Sequence, residues 1–215
     1  MSKHILIVGA SRGIGLGLAE EFKARGWEVT ATERSQTASL HALDGVTVST
    51  LDVTDPSTYG VDGEFDAVVV NAGITGAKHQ SSEQATPDEV AHVMMTNAFG
   101  PAHLGKTLLP QIKEGGSLSF MSSLMGSIED SSGGYELYRT SKAAQNMLAK
   151  GIAEQDAKER GVAVLSLHPG WVQTDMGGPN AHITVEESAQ GLADVIEKAS
   201  GGYAYVDYTG KTLPF

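Results

Sequence analysis

The sequence has no cysteine among its 215 residues, which excludes disulfides, thiolate nucleophiles and cysteine-bound metals while fitting any redox compartment. It has no long apolar run either. The stretch 5–8 is too short for the core of a signal peptide and nothing approaches the ~20 residues of a membrane-spanning helix, so a cytoplasmic location is expected. Positive charge is scarce: 15 Lys and Arg against 26 Asp and Glu give a net charge of -11 and a pI near 5.0. Such a surface repels phosphate backbones and anionic lipids, so neither nucleic acid nor membrane is an expected partner. The 7 histidines form no HxxxH or similar cluster, so no metal site is expected. No Pro-, Gly- or Ser-rich tract is long enough to join two domains, and residues 1–215 read as one.

Glycine, by contrast, is abundant, with 26 residues against a usual share of about 7%. The first cluster follows His4–Val8, an apolar run without alternation, the pattern of a strand buried on both faces of a parallel sheet. That run leads into Gly9-Ala-Ser11-Arg12-Gly13-Ile14-Gly15, then into Leu16, Leu18, Ala19 and Phe22 at helical spacing. Strand, glycine turn and helix are the context in which backbone approaches a pyrophosphate seated at the positive end of a helix. A plain strand-to-helix turn is the bland alternative.

Further strands are expected at 27–32, 46–51, 65–70, 116–121, 162–167 and 203–206. Between them, a capping box at Thr86 to Glu89 opens a helix that should kink near Gly100-Pro101 and stop around Pro110. A long helix is expected over about 135–160, and a second capping box at Thr184 to Glu187 opens a helix reaching about Ala199. This alternation predicts a single-domain α/β fold of Rossmann type: a doubly wound parallel sheet of about seven strands with helices on both faces.

The carboxyl ends of such strands face one crevice. Glu33 stands 33 − 15 = 18 residues beyond Gly15, where an acid accepts from an adenosine ribose 2′-hydroxyl and repels a 2′-phosphate. Arg34 and Arg12 are placed as a 2′-phosphate clamp would be. The direct contact expected of Glu33 tips the reading towards NAD, with the arginines keeping NADP open. Ser122 and Ser123 end the fifth strand, and His168 at the end of the sixth reads as structural. Tyr138 and Lys142, four apart, share a helix face, so the ammonium can favour the ionised phenol. Six tyrosines and ten lysines would supply roughly 0.3 such pairs by chance, so the spacing acquires weight only from its company.

That company resembles the short-chain dehydrogenase/reductase family over nearly the whole chain. The resemblance rests on Gly9, Gly13 and Gly15, on Asp52 after the third strand, on Asn71-Ala72-Gly73 after the fourth, and on Asn97, Ser123, Tyr138, Lys142 and Pro169-Gly170. Tyr138 to Lys142 and Pro169 to Gly178 are similar to the branch of sniffer-type carbonyl reductases and C-factor-like proteins. The resemblance implies an NAD(P)-dependent oxidoreductase interconverting a small-molecule carbonyl and an alcohol. Ser123, with Ser122 as the alternative, would hydrogen-bond the substrate oxygen, Tyr138 would exchange its proton, and Lys142, together with the positive oxidised nicotinamide, would lower the phenol's pKa and also hold the nicotinamide ribose. Asn97 would kink its helix and anchor a proton path. Ser11, Ile14, Asp52, Val53, Asn71, Ala72, Gly73, Pro169, Gly170, Val172 and Thr174 would complete the cofactor site.

Family members also pair through the helices that carry Asn97 and Tyr138, so a homo-oligomer, dimer or tetramer, is implied, although short members also occur as monomers. Tyr135 is the weaker tyrosine, since Arg139 rather than lysine follows it by four. Two departures stand out. Ser123 and Tyr138 are separated by 138 − 123 = 15 residues, with a polar insertion at 129–134, and the segment 170–184 is short where relatives carry lid helices. An open pocket follows. The competing readings are an epimerase or dehydratase, for which the chain lacks a substrate lobe, and a non-catalytic signalling protein, which would have lost the tyrosine or lysine.

Overall fold

A computed structural model describes residues 2–215. Its strands are β1 (His4–Val8), β2 (Glu28–Glu33), β3 (Val46–Thr50), β4 (Phe65–Val70), β5 (Ile112–Met121), β6 (Ala163–His168) and β7 (Gly202–Asp207). Its helices are α1 (Gly13–Ala24), α2 (Ala38–His41), α3 (Pro87–Met94), α4 (Gly100–Leu108), α5 (Glu136–Ile152) and α6 (Val185–Glu197). The strands form one sheet in the order β3-β2-β1-β4-β5-β6-β7, every neighbouring pair parallel.

The central strands β1 and β4 bury nearly all of their side chains because each face is covered. Alternate residues point oppositely, so Ile5 and Ile7 join Leu18 and Phe22 of α1 and Leu192 of α6 on one face. Leu6 and Val8 meet Leu104 and Leu108 of α4 and Ile152 of α5 on the other. The chain turns back between β1 and β4, and this reversal opens the crevice at their carboxyl ends.

The expected elements are present, with four local differences. β5 begins at Ile112 rather than 116, because Ile112 pairs with Phe65 before the chain loops out to resume at Ser117 opposite Ala67, with Gly115 at φ 71. The helix break expected at Gly100-Pro101 lies one turn earlier, as a wide π turn over Met95–Phe99. Pro101 cannot donate to the preceding turn, so the irregular bonding falls before it. The helix expected over 135–160 leaves α geometry after Ile152, passes through a π turn, and ends at Gly161 with φ 63. The Thr86 box forms in full, while at Thr184 only the bond from the Glu187 amide forms, at 3.1 Å, and the Glu187 carboxylate turns to Tyr208. Among the described residues no helix is long and apolar enough to cross a membrane.

Candidate active site

At the end of β1, Gly9 takes φ 85, and its carbonyl accepts from Asn71 Nδ2 at 2.8 Å. The amides of Asn71 and Ala72 both donate to the Val8 carbonyl, so the loop after β4 lies flat against the glycine turn. A Cβ at Gly9 would stand 2.9 Å from Ala72 Cα, and one at Gly15 would stand 2.2 Å from the Gly9 carbonyl oxygen. Only glycine allows this approach. Arg12 precedes α1 in extended conformation without a side-chain cap, and no acid occupies the first turn. The first amides of α1 therefore have no capping side chain, and the donor set of Ser11 to Gly15 fits an anionic pyrophosphate.

Gly170 follows Pro169 at φ 86, and Ser188 Oγ donates to the Pro169 carbonyl at 2.7 Å. The segment beyond pairs Val172 with Ile183 and brings Thr174 against Gly13, 3.4 Å from where a Cβ would stand. No helix lies between Gly170 and Thr184. Arg12 pairs with Asp175 at 2.5 Å across the mouth of the crevice, both side chains 77% exposed, a contact of little energetic weight and easily exchanged.

Glu33 departs from expectation. It ends β2 as predicted, but its side chain is only 3% exposed and is committed to its own loop. One carboxylate oxygen accepts from the amide and hydroxyl of Thr37 at 2.8 and 2.7 Å, and the other pairs with His41 Nε2 at 2.7 Å. Burial alone would raise its pKa, and these bonds reverse that to a net lowering. The carboxylate at the end of β2 is thus held by its own loop rather than left free. Arg34, next in sequence, is exposed, and its charge helps to hold the Asp52 carboxyl below its ordinary value, against burial and alongside two bonds from Thr54. Val53 is buried in the core beneath.

The second half of the site hangs from β5 and α5. Ser122 donates to Asn146 Oδ1 at 2.6 Å and faces the interior, whereas Ser123 lies beside the Tyr138 phenol. Ser123 is fixed on both sides: its hydroxyl accepts from the Met125 amide at 3.2 Å, and its carbonyl accepts from Tyr205 Oη at 2.5 Å. Lys142, 4% exposed, points its Nζ to the Met121 carbonyl at 2.8 Å and Gln145 Oε1 at 3.2 Å, and stands 5.8 Å from the Tyr138 ring centre. Tyr135 instead stands at φ 47 with its side chain in solvent, and Arg139 bonds the carbonyls of Gly133 and Gly134.

Burial pushes Lys142 down to about 7. Burial also raises the Tyr138 phenol, opposed by its bond to Ser123. In this arrangement the phenol stands above its ordinary value, since its burial outweighs the Ser123 bond and the Lys142 ammonium bonds the neutral oxygens of Met121 and Gln145. Asn97, fully buried in the π turn, accepts from the Ile74 amide at 2.9 Å and donates to the Ile74 carbonyl and Ser141 Oγ at 2.8 and 3.0 Å. It thereby ties the loop carrying Gly73 to α5. Tyr205, Asn146 and Gln80 carry no motif and were not foreseen. Their contributions come from contacts between distant segments.

A parallel sheet with a glycine turn at its reversal point and a serine, tyrosine and lysine at its rim defines a Rossmann-type α/β protein. Residues 3–183 match the family model described as short chain dehydrogenase, and the chain belongs to that family of oxidoreductases. Among curated relatives, the C-signal of Myxococcus xanthus is 34% identical over 158 residues, covering 71% of this chain and 94% of its own. A carbonyl reductase from Pseudomonas aeruginosa, solved in complex with NADP, is 36% identical with a TM-score of 0.92 over 100% of both chains. The carbonyl reductase Sniffer of D. melanogaster is 27% identical with a TM-score of 0.89, again over 100% of both.

Proposed function

We propose that the chain, as a single dinucleotide-binding domain, is an NADP-dependent reductase of ketones or aldehydes that also runs in the alcohol-oxidising direction. The observation that carries this is the meeting of Ser123, Tyr138 and Lys142 at the carboxyl end of β5, in the crevice that begins at the glycine turn. When bound, the nicotinamide supplies the hydride that the substrate carbon takes up. Tyr138 gives its phenolic proton to the substrate oxygen, and Ser123 donates a hydrogen bond that orients that oxygen. Lys142, pushed down to about 7, readily takes up and releases protons near neutrality and returns one to Tyr138.

The amides of Ser11 to Gly15 would hold the pyrophosphate, Asp52 and Val53 the adenine side, and Asn71 to Gly73, Pro169, Gly170, Val172 and Thr174 the nicotinamide side. Arg12 and Arg34 favour the 2′-phosphate, since the opposing carboxylate of Glu33 is bonded to Thr37 and His41. NADP bound to the Pseudomonas relative supports the same preference. Exposed Ile128, Tyr135, Trp171 and Met176 on the loops flanking the crevice support a bulky apolar substrate in an open pocket. Exposed Met95, Phe99 and Met147, on the π turn and α5, support pairing of two copies.

The test is oxidation of NADPH and NADH with a panel of aliphatic and aromatic ketones and aldehydes. We expect turnover with NADPH, and its loss in Tyr138→Phe with NADPH binding retained. The name of the relative C-signal favours a second, signalling reading. NADPH binding without turnover in the native protein would establish that reading and remove the first.

A further inference from the structure

The helix that carries Tyr138 opens without a cap of its own. Tyr135 precedes α5 in the left-handed region, no side chain of the segment accepts from the first turn, and the earliest bond within the helix runs from the Arg139 amide to the Tyr135 carbonyl at 2.9 Å. Amides in a first turn have no partners inside their helix and need them from outside. Here one residue from a different element supplies two. The Gln80 carbonyl accepts from the Leu137 amide at 2.9 Å, and Gln80 Oε1 accepts from the Tyr138 amide at 3.2 Å.

The other end of the same side chain is also occupied. Gln80 Nε2 donates to the carbonyls of Thr75 and Ala77 at 3.2 and 3.4 Å. All of these partners are backbone groups of fixed polarity, so they set which way the amide points. Gly76 makes room for it: at φ 133, a Cβ there would fall 2.2 Å from Nε2. Beside it, Glu136 accepts from the Ser82 amide at 2.6 Å.

These contacts close a ring. The Tyr138 carbonyl accepts from Ser141 Oγ at 2.7 Å, Ser141 Oγ accepts from Asn97, and Asn97 grips both backbone groups of Ile74, the neighbour of Thr75. Both backbone polar groups of Tyr138 are thus held by side chains from this ring. We propose that Gln80 is a positioning residue for Tyr138: it caps the catalytic helix from the loop after β4 and sets the phenol against Ser123. The proposal rests on the reading of Tyr138 as proton donor.

Gln80→Met keeps the length and apolar stem and removes the polar head. A misplacement of ~1 Å at a reacting group costs on the order of 100-fold in rate. In Gln80→Met we expect kcat for ketone reduction to fall about tenfold or more, with the NADPH dissociation constant within about twofold of wild type. Amide exchange in the peptide 136–141 should quicken. Exchange or kcat unchanged in Gln80→Met overturns the proposal. Absent turnover in wild type, with exchange still quickened by Gln80→Met, removes the reductase reading and leaves the cap standing.

Discussion

Replacing Lys142 by methionine should abolish turnover and stabilise the cofactor-free protein at the same time. The lysine is 4% exposed, and burial pushes it from its ordinary 10.5 down to about 7. At ~1.36 kcal/mol per pKa unit, holding it charged in the native state costs on the order of 5 kcal/mol below pH 7. Methionine avoids that cost but leaves the Met121 carbonyl and Gln145 Oε1 without their donor, at ~1–2 kcal/mol each. The net gain is about 1–3 kcal/mol at pH 6.

The gain has a definite pH dependence. Between about 7 and 10.5 the native lysine is neutral while the unfolded one still binds its proton, so wild-type stability rises with pH in that window. The methionine variant has no such term. Urea unfolding at several pH values should show Lys142→Met the more stable below pH 7 and the two curves converging, to cross near pH ~8–9. A variant less stable than wild type at pH 6, or a difference that does not change with pH, would refute the reasoning.

Tyr205→Phe removes the donor from the buried Ser123 carbonyl and should lower stability by about 1–3 kcal/mol, a fall of roughly 2–12 °C in Tm by calorimetry, together with kcat. Arg34→Ala should weaken NADPH binding about tenfold and leave NADH within about twofold, measured by titration calorimetry. Glu33→Ala should destabilise the fold through loss of its three bonds to Thr37 and His41 without reversing the cofactor preference. A reversal in that variant would restore Glu33 to the ribose.

The sheet was legible because its first and fourth strands are short, nearly continuous apolar runs followed closely by glycine, the pattern that burial on both faces of a parallel sheet demands. The glycine turn and the Tyr138–Lys142 spacing were legible because close backbone approach and a shared helix face each demand particular residues at fixed separations. For Glu33, position in sequence gives the end of β2 but not which groups its carboxylate bonds. Thr37 and His41 claim it through a loop conformation that no spacing encodes. The start of β5 depends on a bulge opposite β4, and the break before α4 depends on how a proline's missing amide is absorbed. Gln80 is 58 residues from Tyr138, and Tyr205 is 82 residues from Ser123. Pairings across such separations leave no local pattern.

The bond from Tyr205 to Ser123 also gives the site a history during synthesis. At about 5–20 residues per second, the 82 residues between them take roughly 4–16 s to be made. By then the glycine turn, the first five strands and the helix of Tyr138 have all been synthesised. A chain halted late in that interval already carries Ser123, Tyr138 and Lys142, while the Ser123 carbonyl still lacks the donor that fixes it.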